Sequence, residues 1–342
     1  MKNTLNFDEK SQFDWCEWSS SSEIVPKGTL WRRFNHAGQR FYFAENKSKE
    51  VLVASGITTA IDLAFGEPKP LREWKDARPN WKADLKVMAD YGTLCHIGLG
   101  ELVKDGKISE ETLKLADELF DKKQQFKKDM LCLKKFLIDY KVKVYFLEGI
   151  LGREYASPSG LKSHICSAID IFCQMTVNEK VKSLVQDGLY KIGQNKGLPK
   201  MVEVTEEKEV EVYAIIDLKS NFDEKEKKDY YNSHKAQLIF GRGLICENFD
   251  VTKEQIRMFN LSPLGWRTQP NYALKEHKIE VNAYGYDDEQ LLSNRLNTAL
   301  IEGIVQPKGL IFDIPDDIKM ENSWDFRTLS YEEKAREILN EL

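Results

Sequence analysis

The chain has no run of about 18 consecutive apolar residues, the length a helix needs to cross a bilayer, although 42% of its 342 residues are hydrophobic. A membrane-spanning fold is not expected. The opening stretch, MKNTLNFDEKSQFDW, lacks a basic segment followed by an apolar one, so no secretory signal is read there and a cytoplasmic location is expected. Cysteine is sparse and unpatterned. The six cysteines (Cys16, Cys95, Cys132, Cys166, Cys173 and Cys246) form no CxxC pair, which argues against a zinc ribbon or an Fe–S cluster and for reduced thiols. An excess of positive charge is also missing, because the net charge is −5. The chain is therefore not a polycation, but a local basic channel can still follow phosphates inside an acidic protein. No internal repeat or low-complexity tract is found.

What is present divides by hydrophobic period. The first 30 or so residues are polar, with Ser19 to Ser22 in a row, and read as a loosely ordered arm. A hairpin is expected from Arg40 to Ala44 and Glu50 to Ala54, followed by a helix capped at Thr58 or Thr59. Two helices are expected around the break at Pro79, and the segment 109–139 reads as one long amphipathic helix starting at Ser109. The period then shortens. VKVYFLEGIL (142–151), SHICSAIDIFCQM (163–175) and VEVYAIIDLKS (210–220) read as consecutive strands. Helices follow at 225–248, 252–261 and 287–305, with a strand at 277–286. The layout is α/β (α+β), a central mixed sheet flanked by helices.

Two strand ends carry charge. In VEVYAIIDLKS both faces are apolar before Asp217 and Lys219, so a central strand ends in a carboxylate and an ammonium. A private ion pair is one reading. The other needs a second carboxylate, and Asp170 supplies it at the end of the apolar run in ICSAIDIFC. Two converging carboxylates suit a hard cation such as Mg2+ or Mn2+, which keeps waters and completes its shell with phosphate. His96 lies upstream in an apolar helical stretch among Gly92, Gly98 and Gly100, as a core histidine or as a further ligand.

In their order these motifs resemble the PD-(D/E)XK nucleases, specifically the RecB-like and phage exonuclease branch. The residues that carry the resemblance are Gly92-Thr-Leu-Cys-His96, Ala168-Ile-Asp170, Asp217-Leu-Lys219 and Gln237-Leu238. The Ser-x-Thr-Thr-like stretch ASGITTAIDLAFGEPKPLREW precedes them. The resemblance implies a restriction-endonuclease-like core with an N-terminal helical region and an insertion. It divides the chain into an arm with the first hairpin strand (1–50), a nuclease core (51–250) interrupted at 176–209 by a lobe or extended hairpin, and a C-terminal extension of the same domain (251–342). It also implies a metal set of His96, Asp170, Asp217 and the Leu218 carbonyl, with Asp170 and Asp217 catalytic too. Lys219 is the implied catalytic lysine, and Gln237 orients water or the scissile phosphate. The implied cofactor is Mg2+ or Mn2+, with no Fe–S cluster. The implied partner is DNA, alongside a recombination or replication protein, in a bacterial cytoplasm or that of a phage-infected host.

The chain departs from that pattern in places. Ala168 stands where the family usually has glycine, and Gly241 where it commonly has tyrosine. The acidic residue expected one turn after the histidine falls on Gly100; Glu101 is one step late and points about 100° away. Glu148, in YFLEGIL, is then the better accessory carboxylate. Lys122, Lys123, Lys127, Lys128, Lys134 and Lys135 make either a solvated helix face or a track for a DNA backbone. Trp15, Trp18, Trp31, Trp74 and Trp81 either close a core or stack on bases. The leading expectation is a metal-dependent deoxyribonuclease, exonucleolytic by resemblance. The alternatives are a nuclease-fold subunit that binds DNA without catalysis and a metal site with no nuclease role.

Overall fold

The β-branched and aromatic middle of the chain organises the structure. It is a computed structural model describing residues 31–36, 39–45, 51–120, 122–156, 162–189, 198–220, 232–301 and 321–322. The N-terminal arm with Trp15 and Trp18, and the charged loop before residue 232, lie outside the described residues. Strands β1 (Arg32–His36), β2 (Gln39–Glu45) and β3 (Val51–Gly56) form an antiparallel meander, close to the expected hairpin. Helices α1 (Ile57–Phe65), α2 (Lys69–Asp76), α3 (Trp81–Asp105), α4 (Glu110–Phe120) and α5 (Lys123–Asp139) follow. Then come β4 (Lys143–Ala156), β5 (Lys162–Leu189), β6 (Pro199–Leu218), α6 (Asn232–Asn248), β7 (Ile256–Pro263), β8 (Tyr272–His277), α7 (Asp288–Ile301) and β9 (Glu321–Asn322). The sheet order is β8-β7-β6-β5-β3-β2-β1-β9, with β4 paired to β5. It is a mixed sheet: β3 runs parallel to β5 and β6 parallel to β7, while the other pairs are antiparallel. α6 packs on β4 to β7, α1 on α6 and α7, and α5 on β7 and β8. None of the described helices is long and apolar enough to span a membrane.

Three sequence expectations need correction. The segment 109–139 is two helices. Ser109 does cap α4, its Oγ accepting the Thr112 N–H at 3.1 Å. As one rod the segment would extend roughly 46 Å and leave most of its stripe unburied. Folded back after α4, it places Leu113 and Ala116 of α4, and Phe126, Met130 and Leu133 of α5, in one core with α3. Gly98 permits this approach, since a Cβ there would lie 2.4 Å from Met130 Sδ. The segment 252–261 is not a helix. Thr252 and Gln255 form a capping box, but it caps a single 3-10 turn, Lys253–Gln255, before the chain extends into β7. Every residue of β7 except Arg257 is buried, as a strand inside a sheet requires. The strand expected at 277–286 is likewise displaced. It lies one element earlier, as β8, and the later residues form a loop with a lone Val281–Asp287 bridge. A fourth difference is small: α1 starts at Ile57 on Gly56 with no side-chain cap, which leaves Thr58 free to face the cleft.

The unassigned insertion is a β-ribbon. β5 and β6 stay paired from Ile171↔Ile216 to Leu189↔Pro199. Beyond Asn178 the ribbon leaves the sheet for roughly 40 Å. β5 also explains where the cleft opens. Along one edge it pairs with β4; along the other it pairs first with β3, at His164 to Cys166, and then with β6, from Ile171 onward. Because β3 is parallel to β5 and β6 antiparallel, their C-terminal ends point at each other across Ser167–Asp170. That interval is the floor of the cleft.

Candidate metal centre

The cleft has a volume of about 240 Å³ and is lined by Thr58 of α1, Thr93 and His96 of α3, Glu148 of β4, Ser167 to Asp170 of β5, Asp217 to Lys219 and Gln237 of α6. Strand register brings the acids together. Leu147↔Ile171 and Gly149↔Ile169 bracket Glu148 against Asp170. Ile171↔Ile216, carried one step on, sets Asp170 beside Asp217. Three carboxylates therefore lie in a row on three adjacent strands.

Glu148 departs from ordinary strand geometry, with φ +52. A non-glycine residue in that left-handed region costs of order 1 kcal/mol or more and persists only where its surroundings enforce it. Here its Oε1 lies 2.5 Å from His96 Nδ1. With Nδ1–H given to Glu148, the ring turns Nε2 toward Asp170, 3.9 Å from its Oδ2. The ligand atoms of His96, Glu148 and Asp170 all lie within 4.8 Å of one another. Burial by itself depresses the His96 imidazole, but the charges of Asp170 and Glu148 outweigh it and hold its pKa above the ordinary histidine value.

Asp170 takes the Leu218 N–H at 2.7 Å, a side-chain bond spanning the interval where the β5–β6 ladder has stopped. Burial raises its carboxyl to about 7; His96 opposes that, and the neighbouring Asp217 and Glu148 reinforce it. Asp217 sits beside the trio, with Lys219 Nζ donating to its Oδ1 at 2.8 Å and Asn260 Nδ2 donating to its Oδ2. Lys219 is fixed by its own backbone, whose N–H donates to the Leu261 carbonyl at 2.8 Å. Gln237 closes the rim, its Nε2 3.4 Å from Thr58 Oγ1.

Four of the sequence motifs thus meet in one place, through His96, Asp170, Asp217 with Leu218 and Lys219, and Gln237. Leu218 contributes its N–H here. Of the two accessory candidates only Glu148 belongs. Glu101 is buried elsewhere, accepting hydrogen bonds from the Ser109 N–H, the Ser109 hydroxyl and the Thr112 hydroxyl at 2.7–2.8 Å, and so ties α4 to α3. The α5 lysines do not line the cleft. Lys134 donates to the Gly106 carbonyl at 2.9 Å and Lys135 pairs with Asp139 at 2.5 Å, while Lys127 and Lys128 lie on the same helix. Trp31 is buried, and Trp74 and Trp81 lie under Arg78 and Lys75. Gly241 has a packing reason, because a Cβ there would come 2.6 Å from Ile215 Cδ1 where α6 meets the sheet. Sequence reasoning missed Asn260 and His277, behind Asp217. Taking 252–261 as a helix hid Asn260; as a strand parallel to β6 it sits level with Asp217, and His277, expected to begin a strand, instead ends β8 beside it.

The donor set, two or three carboxylate oxygens and one imidazole nitrogen, fits a Mg2+- or Mn2+-sized ion. Acids clustered closely enough to raise the Asp170 pKa are what such a cation neutralises. Comparison of the chain with protein families, with curated proteins and with solved structures finds no match in any of the three.

Proposed function

We propose that the protein is a metal-dependent deoxyribonuclease with a restriction-endonuclease-like core of the PD-(D/E)XK type, hydrolysing phosphodiester bonds at DNA ends. The observation that supports this most directly is the convergence on one cleft of His96, Asp170, Asp217, Lys219 and Gln237, which come from two helices, two strands and the residue that follows β6. A Mg2+ or Mn2+ ion bound there would lower the pKa of a water and neutralise charge on the phosphoryl oxygens. His96 Nε2, Asp170 and Asp217 would hold it, and Glu148 would fix the imidazole through Nδ1. The Lys219 ammonium, anchored on Asp217, stabilises the negative charge that grows on the phosphate in the transition state. Gln237, at the rim beside Thr58, orients the entering backbone.

The test is incubation of the purified protein with linear and covalently closed circular DNA in Mg2+, Mn2+ or EDTA, beside Asp217→Ala and Lys219→Ala. The expected outcome is metal-dependent loss of the linear form, with each variant slowed by roughly 100-fold or more. Loss of neither form, or loss unchanged in both variants, would sink the proposal. Metal-dependent DNA binding without hydrolysis would favour a nuclease-fold subunit.

A further inference from the structure

Asp217 does not stand alone on β6. Parallel register sets Asn260 of β7 level with it, and Asn260 is fully buried. The Asn260 side-chain amide gives its N–H to Asp217 Oδ2, and its Oδ1 lies 2.7 Å from His277 Nε2 on β8. Lys275 is the residue directly opposite Asn260 in the antiparallel β7–β8 pair, so His277 reaches it as the diagonal neighbour.

The polarity of this relay is fixed by chemistry. The Asn260 NH2 is engaged by Asp217, which leaves the amide carbonyl as the atom that faces His277. That carbonyl in turn requires Nε2 to carry the proton. Burial, with the Lys275 and Lys235 ammonium groups beside it, depresses the His277 pKa, while Asp217 and Glu280 pull the other way. If His277 were removed, the buried amide would lose its outer anchor. A flipped amide would then present a carbonyl oxygen to the Asp217 carboxylate.

We propose that Asn260 and His277 are positioning residues that lock the plane of the Asp217 carboxylate toward the metal site, from a strand pair lying behind the cleft. Neither lines the cleft, so their effect passes through Asp217. Lys219 holds one carboxylate oxygen and Asn260 the other, so the χ2 rotation of Asp217 is stopped from both sides. Each oxygen keeps a further lone pair for the cation. This inference rests on the metal-dependent reading of the site above.

The experiment measures Mn2+ affinity by the electron paramagnetic resonance signal of free Mn2+, for the unaltered protein and for Asn260→Leu, His277→Leu and His277→Gln. Glutamine sets an amide N–H where the Nε2–H stood. The two leucine variants are expected to bind Mn2+ roughly ten- to a hundredfold more weakly, and His277→Gln to recover most of that loss. In DNA hydrolysis the leucine variants should lower kcat and leave KM for DNA unchanged. Unchanged Mn2+ affinity in both leucine variants, with the unaltered protein binding normally, overturns the inference and leaves the nuclease reading standing. Absence of Mn2+ binding by the unaltered protein overturns both. If Asn260→Leu does not fold, the His277 pair decides, since His277 lies on the edge strand.

Discussion

Asp129 shows how one carboxylate can matter to this fold without chemistry. It is fully buried on α5, where Oδ2 accepts the Tyr91 hydroxyl at 2.5 Å and Oδ1 accepts the Gly265 N–H and the Gln125 amide at 3.1 Å. It thus joins α3, α5 and the turn after β7. Burial raises its pKa to about 6, against the lowering effect of the Tyr91, Gly265 and Gln125 bonds. A carboxyl whose folded pKa lies above its unfolded value favours the folded state fully below the unfolded pKa, near 4. That contribution is lost as pH rises through about 6. The amount is on the order of 3 kcal/mol for a shift of about two units. Asn at 129 keeps an acceptor for Gly265 and Gln125 and can donate to the Tyr91 oxygen, but it does not titrate. Urea unfolding of Asp129→Asn and the unaltered protein between pH 4 and 7 should therefore show the difference moving in the variant's favour by about 2–3 kcal/mol. A gap that stays constant across that range would remove Asp129 as the cause.

At the scale of elements, residue pattern alone told some things and concealed others. Strand β6 was legible because Val212 to Ile216 is apolar on both faces, the pattern of a covered strand. β7 was not, because Thr252 to Gln255 is a true helix start whose continuation is overruled by pairing with β6, a long-range contact that no local signal records. The choice between Glu101 and Glu148 turned on angle for one and on a left-handed backbone for the other. Helical phase ranked Glu101 below Glu148 without removing it, and nothing in YFLEGIL announces φ +52 at Glu148. The β5–β6 ribbon was obscured for another reason: its alternation is weak. Val181, Val202 and Val204 are half-buried on one face, while Lys182 and Glu203 pair across the other at 2.5 Å. A two-stranded ribbon is marginally stable in water on its own, so it adds little to the stability of the sheet. Replacing residues 179–208 by Asn-Gly leaves Asn178 and Glu209, already a cross-strand pair, on either side of a two-residue turn. The shortened protein should unfold in one cooperative step in urea, within about 1 kcal/mol of the original, the lost Arg257–Glu179 ion pair included. Loss of a cooperative transition by circular dichroism would show that the ribbon is integral to the core.

Across the whole molecule, the cleft lies where the architecture leaves a strand edge open. β3 and β6 approach along one side of β5 from opposite directions and stop short of each other, and three acids face the opening. The fold therefore holds Glu148, Asp170 and Asp217 together against their mutual repulsion; burial first, and then the neighbouring Asp217 and Glu148, raise the Asp170 carboxyl to about 7. A cation that binds only the folded arrangement must stabilise it. At 100 times its dissociation constant the gain is about 2.7 kcal/mol, on the order of 5 °C in melting temperature for a chain of this size. Asp170→Asn separates the two effects. Its amide oxygen can still accept the Leu218 N–H, but the buried negative charge is gone. At pH 8, where Asp170 is ionised at a cost, the variant should melt at a higher temperature than the unaltered protein in EDTA. It should then gain little or nothing from Mn2+. Differential scanning calorimetry with and without MnCl2 measures both shifts. An equal Mn2+ response in the two proteins would mean that the ion binds away from this cleft, and a lower melting temperature for the variant in EDTA would mean that the Asp170 charge is held by partners that outweigh its neighbours.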